Sequence, residues 1–258
     1  MPSPPSAPLA ELVAFLDALL EPERFDDFGP NGVQVPGPDV VATVVTGVSA
    51  HARLFERAAA QGADLVLVHH GLFWRGDPPA VTPLLHRRLR PLFAHGMALA
   101  AYHLPLDGHP EVGNNALLAR ALGCTATASF APHRGTPIGV AGAFPGDGLA
   151  PEELVQRVRA ACGREPLAFL EGPERVRHVG IVSGAGTDFL AHAAATGLDA
   201  FLTGEPAERA LGLALDEGLH FVAGGHHATE TFGVRRLGEL LEERFGIRHV
   251  FVDVPNPI

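Results

Sequence analysis

Three short segments of the chain place histidine or carboxylate side chains where an apolar run stops. LVLVHH ends in His69 and His70, HLPLDG carries Asp107, and GGHHATE carries His226 and Glu230. Imidazole nitrogens and carboxylate oxygens are ligands for Zn, Mn, Fe, Ni and Co. Together the segments predict a site for two divalent metal ions, which in hydrolases orient and activate a water molecule for attack.

The spacing within two of these segments supports this prediction. Neighbouring residues of a strand point to opposite sides, so we expect His69 and His70 to serve different ions. His226 and Glu230 are four residues apart and share one helical face, where the two oxygens of Glu230 can bridge both ions. Taken alone, each segment also fits a structural role: a His–Glu contact for GGHHATE, and a turn or helix N-cap for Asp107.

Two further features could bind an anion on a substrate. Arg75 follows the histidine pair, and IVSGAGTD passes through Gly184 and Gly186 between a strand and a helix. Backbone N–H groups in such a turn can receive an anion. A solvated surface arginine and an ordinary tight glycine turn fit the same residues.

Alternating strands and helices must position these residues. VVATVVTGVSA, HARLFERAAAQGA and LVLVHH form a strand–helix–strand unit, and this pattern recurs to the carboxyl end. Continuous apolar strands are typical of sheets covered on both faces. The pattern predicts the α/β class with mostly parallel, helix-covered sheets, and strand ends are where such folds build sites. A Gly/Pro-rich middle suggests two lobes: residues 1–125 with 226–258, and residues 126–225.

The composition limits the possible partners. The chain has 258 residues and a formal net charge of −10, so the field of the whole molecule disfavours nucleic acid. The arginines Arg87, Arg88 and Arg90 are more typical of a solvated helix face than of a binding patch. The amino terminus lacks a basic signal-peptide region, and no apolar run approaches about 20 residues. We therefore expect a cytoplasmic protein that does not enter a membrane.

Longer segments around these residues resemble one known family. LVLVHHGLFWRG, AYHLPLDGHPEVGNNALLARALG, FLTGE and GLHFVAGGHHATETFGVRRLGELL occur in this order. They are similar to the Nif-three-like family, whose members are often called GTP cyclohydrolase 1 type 2 homologs. The resemblance covers nearly the whole chain, which looks like the short form of the family.

This resemblance carries expectations about structure and activity. It implies two interlinked α/β lobes with a dinuclear metal centre between them, and a toroidal homo-hexamer. The family's ligands fall on the five residues named above, and His103 matches a position near the site that would orient ligands or shuttle protons. The family name implies hydrolytic opening of the guanine imidazole ring of GTP, with loss of formate, or action on a similar nucleotide.

Two other functions use the same features. A non-catalytic protein that binds or delivers metal, alone or with regulatory partners, needs the same five ligands. A ring that encloses nucleic acid would need its arginines to line the channel, against the acidic balance of the chain.

Overall fold

Helices and strands alternate along most of the chain in the computed structural model, which describes residues 5–258. The start of the Pro/Ser-rich leader, at which the first predicted lobe begins, lies outside the described residues. The helices are α1 Leu9–Leu20, α2 Ala52–Ala60, α3 Pro83–His95, α4 Leu104–Gly108, α5 Asn114–Ala121, α6 Pro151–Cys162, α7 Leu190–Ala195, α8 Arg209–Glu217, α9 His226–Thr229 and α10 Thr231–Phe245. The strands are β1 Ala7–Pro8, β2 Gly32–Val35, β3 Val40–Val41, β4 Thr43–Ser49, β5 Leu65–His70, β6 Ala98–Ala101, β7 Ala126–His133, β8 Thr136–Ala143, β9 Leu167–Leu170, β10 His178–Val182, β11 Ala200–Thr203, β12 His220–Ala223 and β13 Arg248–Phe251.

The chain divides into two compact units. The first contains the described residues up to Leu106 and the segment Gly233–Pro255, and the second contains Asp107–Phe232 and Asn256–Ile258. The chain passes from one unit to the other within α4 and returns within α10. Residues 107–125, 226–232 and 256–258 therefore group with the second unit, whereas the sequence-based division placed them in the first. Helix α5 supplies apolar side chains to the core of the second unit, which accounts for the difference.

The first unit is built on a five-stranded sheet in the order β13-β4-β5-β6-β2. Its first four strands are parallel to their neighbours, and β2 pairs antiparallel with β6 at one edge. Leu65, Val66, Leu67 and Val68 of β5 are all fully buried, as expected for a central strand covered on both faces. β5 and β6 are parallel neighbours, so the residues that follow them emerge at the same edge of the sheet.

The local sequence explains where the two covering helices of this unit begin and end. His51 accepts a hydrogen bond from the backbone N–H of Leu54 at the start of α2. The Thr82 hydroxyl accepts one from the backbone N–H of Leu85 at the start of α3, which ends at Gly96 in the left-handed conformation. These are standard helix caps, which supply partners for the backbone groups at helix ends that have none within the helix.

The second unit is built on a six-stranded sheet in the order β7-β8-β10-β11-β12-β9. Only β10, β11 and β12 pair in parallel, and three antiparallel pairs flank them. Val182, Thr203 and Ala223 lie side by side at the ends of the three parallel strands. The residues that follow them, including Ser183 and Gly204, therefore emerge together at one edge of the sheet.

The α/β class predicted from the sequence is confirmed, with differences in detail. The expectation of mostly parallel sheets describes the first sheet, but antiparallel pairs outnumber parallel ones in the second. Among the residues described, no helix combines the length and apolar character needed to cross a membrane.

A half-buried histidine ties the carboxyl-terminal strand of the first unit to its neighbours. His249 of β13 hydrogen-bonds through Nε2 to the hydroxyl of Thr46 at 2.8 Å. A Cβ atom at Gly238 of α10 would lie 2.1 Å from the same nitrogen, so only glycine lets the helix pack on this ring. Burial is the main cause that lowers the pKa of His249 below 6.5, since it disfavours the charged imidazolium.

We predict that His249 makes the protein less stable in acid. The pKa of His249 is lower in the folded chain than in the unfolded chain. The contribution of the neutral imidazole to the free energy of unfolding is therefore complete above pH about 6.5 and declines as pH falls through that value. Replacing His249→Gln should flatten the fall of unfolding free energy between about pH 7.5 and 5, measured by urea titration. The matched change at the exposed His86 of α3 should leave the slope as it is. An unchanged slope in the His249 variant would contradict the prediction.

Candidate metal-binding site

Three histidines of the first unit lie at the ends of two neighbouring parallel strands. His69 and His70 end β5, and His103 follows β6 by two residues. One nitrogen of each ring lies within 4.8 Å of a nitrogen of the others. The ring centres of His69 and His70 are 4.6 Å apart, and those of His69 and His103 are 4.9 Å apart. The cluster could hold a metal ion, with His103 offering a nitrogen beside the two predicted ligands.

The two neighbouring strands orient His69 and His70 from opposite sides. Nδ1 of His69 lies 3.0 Å from the backbone oxygen of Tyr102, which follows β6. Nδ1 of His70 lies 3.0 Å from the hydroxyl of Ser49, its cross-strand partner on β4. A hydrogen bond at Nδ1 sets Nε2 as the nitrogen that can face a metal.

His103 is held in the same manner by a carboxylate that the sequence analysis did not identify. Nδ1 of His103 lies 2.7 Å from Oδ1 of Asp27. The other carboxylate oxygen of Asp27 accepts hydrogen bonds from the side chain of Asn31 and the backbone N–H of Leu104. Burial acts to raise the pKa of Asp27, but the hydrogen bonds and the charge of His103 hold it below its ordinary value. Asp27 is therefore ionised, and both of its carboxylate oxygens take part in hydrogen bonds.

In the second unit, a short helix brings His226 and Glu230 together. His226 begins α9 and Glu230 follows its last residue, with His226 Nε2 3.1 Å from Glu230 Oε1. Nδ1 of His226 hydrogen-bonds to the carboxylate of Glu205, which lies just after β11. Burial lowers the pKa of His226, but the hydrogen bonds and charges of Glu230 and Glu205 raise it to about 9. The sequence analysis did not identify Glu205, although FLTGE places a carboxylate after a strand as the other segments do.

Asp107 lies in α4, where polar neighbours of the second unit hold it. Its Oδ1 accepts hydrogen bonds from the side chains of Asn114 at 2.9 Å and Ser183 at 3.0 Å. Asn115 donates to the backbone oxygen of Asp107 and accepts from the backbone N–H of Ser183. The sequence placed Asp107 in a turn after a strand. A short helix carries it instead, because Pro105 is compatible with the first turn of a helix.

Asp107 and Glu230 bring two buried carboxyl groups close together in the second unit. Both residues are buried, at 7% and 3% exposure, and oxygens of the two lie within 4.8 Å of one another. Two buried carboxylates at this distance repel each other unless a cation or a proton lies between them. Their geometry fits a divalent ion.

The predicted anion-binding residues have partners within their own units. The backbone N–H of Gly184 donates to the hydroxyl of Thr229, and that of Gly186 donates to the hydroxyl of Thr203. Arg75 donates from one nitrogen to both the side chain of Asp26 and the backbone oxygen of Asp27. A role for these three residues toward a substrate stays a prediction.

We predict that the turn at Gly184 requires glycine because it approaches the site residues. Gly184 has a φ of +63°, and a Cβ there would lie 2.2 Å from Glu230 Oε1 and 3.1 Å from His226 Nε2. Gly184→Ala should lower the free energy of unfolding by about 1–3 kcal/mol, measured by urea titration of metal-free protein.

Gly212 of α8 provides the control, since a Cβ there meets nothing within 4 Å. Gly212→Ala should leave stability unchanged or raise it by up to about 1 kcal/mol. Equal effects of the two substitutions would show that the turn tolerates a side chain.

Several known proteins are similar to this chain in sequence and in fold. The family model DUF34/NIF3 (NGG1p interacting factor 3) matches residues 7–257. A Pseudomonas aeruginosa protein named GTP cyclohydrolase 1 type 2 homolog is 42% identical over 96% of this chain and 98% of its own. A solved structure described as protein ybgI, of unknown function, is 40% identical with a TM-score of 0.92, covering 98% of this chain and all of that one.

The crystal structure of TTHA1606 from Thermus thermophilus is also similar to this chain. It is 38% identical with a TM-score of 0.87, and the match covers 98% of this chain and all of that one. The matches in sequence and structure extend over nearly the full length. The chain belongs to the DUF34/NIF3 family.

Proposed function

We propose that the chain binds two divalent metal ions in one dinuclear centre and hydrolyses a nucleotide-like substrate there. The first unit would supply His69 and His70, and the second would supply Asp107, His226 and Glu230. The observation that carries the proposal is the hydrogen bonding of the three proposed histidine ligands, His69, His70 and His226. Each has Nδ1 in a hydrogen bond within its own unit, to Tyr102 O, Ser49 Oγ and the Glu205 carboxylate respectively.

This arrangement is typical of histidines that bind metal. A ligating imidazole usually gives its second nitrogen to a carboxylate, hydroxyl or carbonyl oxygen, which fixes the ring and its tautomer. Burial of His69 at 0% exposure would otherwise serve no purpose that an apolar side chain could not serve better. The mixed imidazole and carboxylate donors fit Zn, Mn, Fe, Ni or Co.

The charges of the second unit support the same conclusion. The contacts with Glu230 and Glu205 raise the pKa of His226 to about 9, so without metal this imidazole carries a proton at neutral pH. A divalent ion would replace that proton and balance the carboxylate of Asp107 as well. The carboxyl groups around His226 and Asp107 therefore favour the binding of a cation.

When bound, two such ions polarise a substrate and activate a water molecule for attack. The chain's own residues would then position the reactants. Glu205 orients His226, Ser183 and Asn114 orient Asp107, and His103 is the group placed to move a proton, since Asp27 holds its ring at Nδ1. The proposed substrate class follows from the family name carried by the relatives. Assembly into a toroidal homo-hexamer remains a proposal, which the mass in solution tests.

A first experiment tests whether the two units share one centre. His70→Ala changes the first unit and Glu230→Gln the second. In a shared centre each substitution should lower the binding affinity for both ions by at least about tenfold, because the ligands of one ion also position the other ion. The double variant should then lose little more than either single variant. Elemental analysis and competition with a chelator measure this, with His86→Ala as the control. Independent sites would instead give one ion lost per substitution and additive losses.

A second experiment tests the hydrolase. Metal-loaded protein is incubated with a panel of nucleotides, and formate and ring-opened or hydrolysed products are quantified. We expect turnover that a chelator abolishes and that His69→Ala reduces at least about a hundredfold, while circular dichroism shows an unchanged fold. A protein that holds two ions and turns over no nucleotide would reject the hydrolase. Transfer of its metal to an acceptor protein would then favour the delivery function.

A further inference from the structure

A cavity with aromatic walls adjoins the histidine cluster of the first unit. It has a volume of about 300 Å³ and is lined by Phe28, Phe73 and Trp74, with Asp27 and Arg75 among the polar residues. Phe28 is 43% exposed, so part of its ring is accessible to a ligand. Ligand pockets in proteins begin at about this volume, so the cavity is the size for one ring system and not for a whole large ligand.

Hydrogen bonds join the two loops that carry the residues lining the cavity. The backbone N–H of Arg75 donates to the backbone oxygen of Phe28 at 2.6 Å. Its guanidinium donates to the backbone oxygen of Asp27 at 2.8 Å and to Asp26 at 2.6 Å. A Cβ at Gly29 would lie 2.5 Å from the backbone oxygen of Phe73, so glycine is what allows the two loops to meet. Because these two loops are already joined, a ligand that binds in the cavity has little backbone to order, and the loss of conformational entropy is small.

Two of the walls also contact the histidines. The ring of Trp74 lies edge-on to His103, 5.1 Å between centres, and 6.0 Å from His70. The ring of Phe28 is 6.0 Å from His103. A ligand in the cavity is therefore next to the cluster that the proposed function assigns to metal and proton transfer.

We propose that this cavity is the subsite for a planar aromatic nitrogen heterocycle of the nucleobase class, held by stacking on Phe28 and Trp74. Stacking on aromatic side chains is favourable for every nucleobase, because each has a π-face. Arg75, whose side chain is 57% exposed, also lines the cavity, and one of its guanidinium nitrogens already donates to Asp26 and to the backbone oxygen of Asp27. The inference rests on the proposed function for the class of ligand, and deepens it by assigning the residues that receive the ring.

The chain provides its own reporter for this subsite. Trp74 is the only tryptophan in the sequence, so the intrinsic tryptophan fluorescence comes from one wall of the cavity. Guanosine and adenosine are the probes, ribose 5-phosphate is the control that lacks the ring, and readings are corrected for nucleoside absorbance. We expect saturable quenching by both nucleosides and none by ribose 5-phosphate. Equal quenching by ribose 5-phosphate, or none by either nucleoside, would overturn the proposal.

Two substitutions at one position separate stacking from general apolar contact. Phe28→Leu keeps an apolar side chain but removes the ring, and should weaken nucleoside binding about tenfold. Phe28→Tyr keeps the ring and should bind within about twofold of the original chain. Leu84→Ala, in a second cavity that Trp74 also lines, is the matched control and should change nothing. Wild-type affinity in Phe28→Leu would show that Phe28 does not stack on the ligand.

The titrations are carried out on both metal-loaded and metal-free protein, so that this inference and the proposed function fail separately. Ring-dependent quenching without any turnover would support the subsite and reject the hydrolase. If nucleotide turnover depends on metal and Phe28→Leu has the same KM as the original chain, the hydrolase function would be supported and the subsite rejected.

Discussion

The hydrogen bond at Nδ1 of each site histidine is the interaction on which the proposed metal chemistry depends. An imidazole on a free side chain samples several rotamers and both tautomers, and a metal would have to select one of each on binding. Here the backbone oxygen of Tyr102 and the hydroxyl of Ser49 make that selection in advance. Tyr102 is itself fully buried, and its own hydroxyl donates to Asp17 at 2.5 Å. The orientation of a ligand is thus built into the packing of the sheet.

The oxygens that hold the histidines differ in charge, and this divides the rings into two classes. His69 and His70 have neutral partners, whereas His103 and His226 have the carboxylates of Asp27 and Glu205. A carboxylate makes the imidazole more basic and so a stronger donor to metal or to a proton. The first unit therefore combines two rings that have neutral partners with one that has a carboxylate partner, and in the second unit the carboxylates raise the pKa of His226 to about 9. The second unit adds the buried pair of Asp107 and Glu230, which raises its demand for positive charge.

The sequence predicted the class of fold because the alternation of strands and helices follows from short-range patterns. Continuous apolar runs identified β5 as buried, and the type and position of its final histidines predict metal ligands, which the structure brings into one cluster with His103. Glu205 follows a strand in the same way and could have been found, but one carboxylate after a strand is a weak signal. Asp27 could not have been found, because its role depends on a contact with His103, 76 residues away.

Two edge strands escaped prediction for related reasons. β2 follows an Asn-Gly turn and precedes a proline, and such residues are typical of a loop. β9 is only four residues long, and its exposed Leu167 and Leu170 give no clear alternation. Each is defined by its antiparallel pairing with the edge of a parallel sheet, to β6 and β12 respectively. Pairing of this kind is decided by tertiary contacts that local sequence does not encode.

The placement of β13 also imposes an order on biosynthesis. This strand comes near the carboxyl end of the chain, yet it pairs in parallel with β4, so that Val45 lies beside Val250. While the ribosome is still translating the intervening region, one side of β4 has no neighbour and its backbone groups remain open to other nascent chains. Nearly all of the second unit is translated before β13 emerges and can fold during that interval. The first unit can complete its sheet only afterwards, which makes it the late and aggregation-exposed half of the molecule.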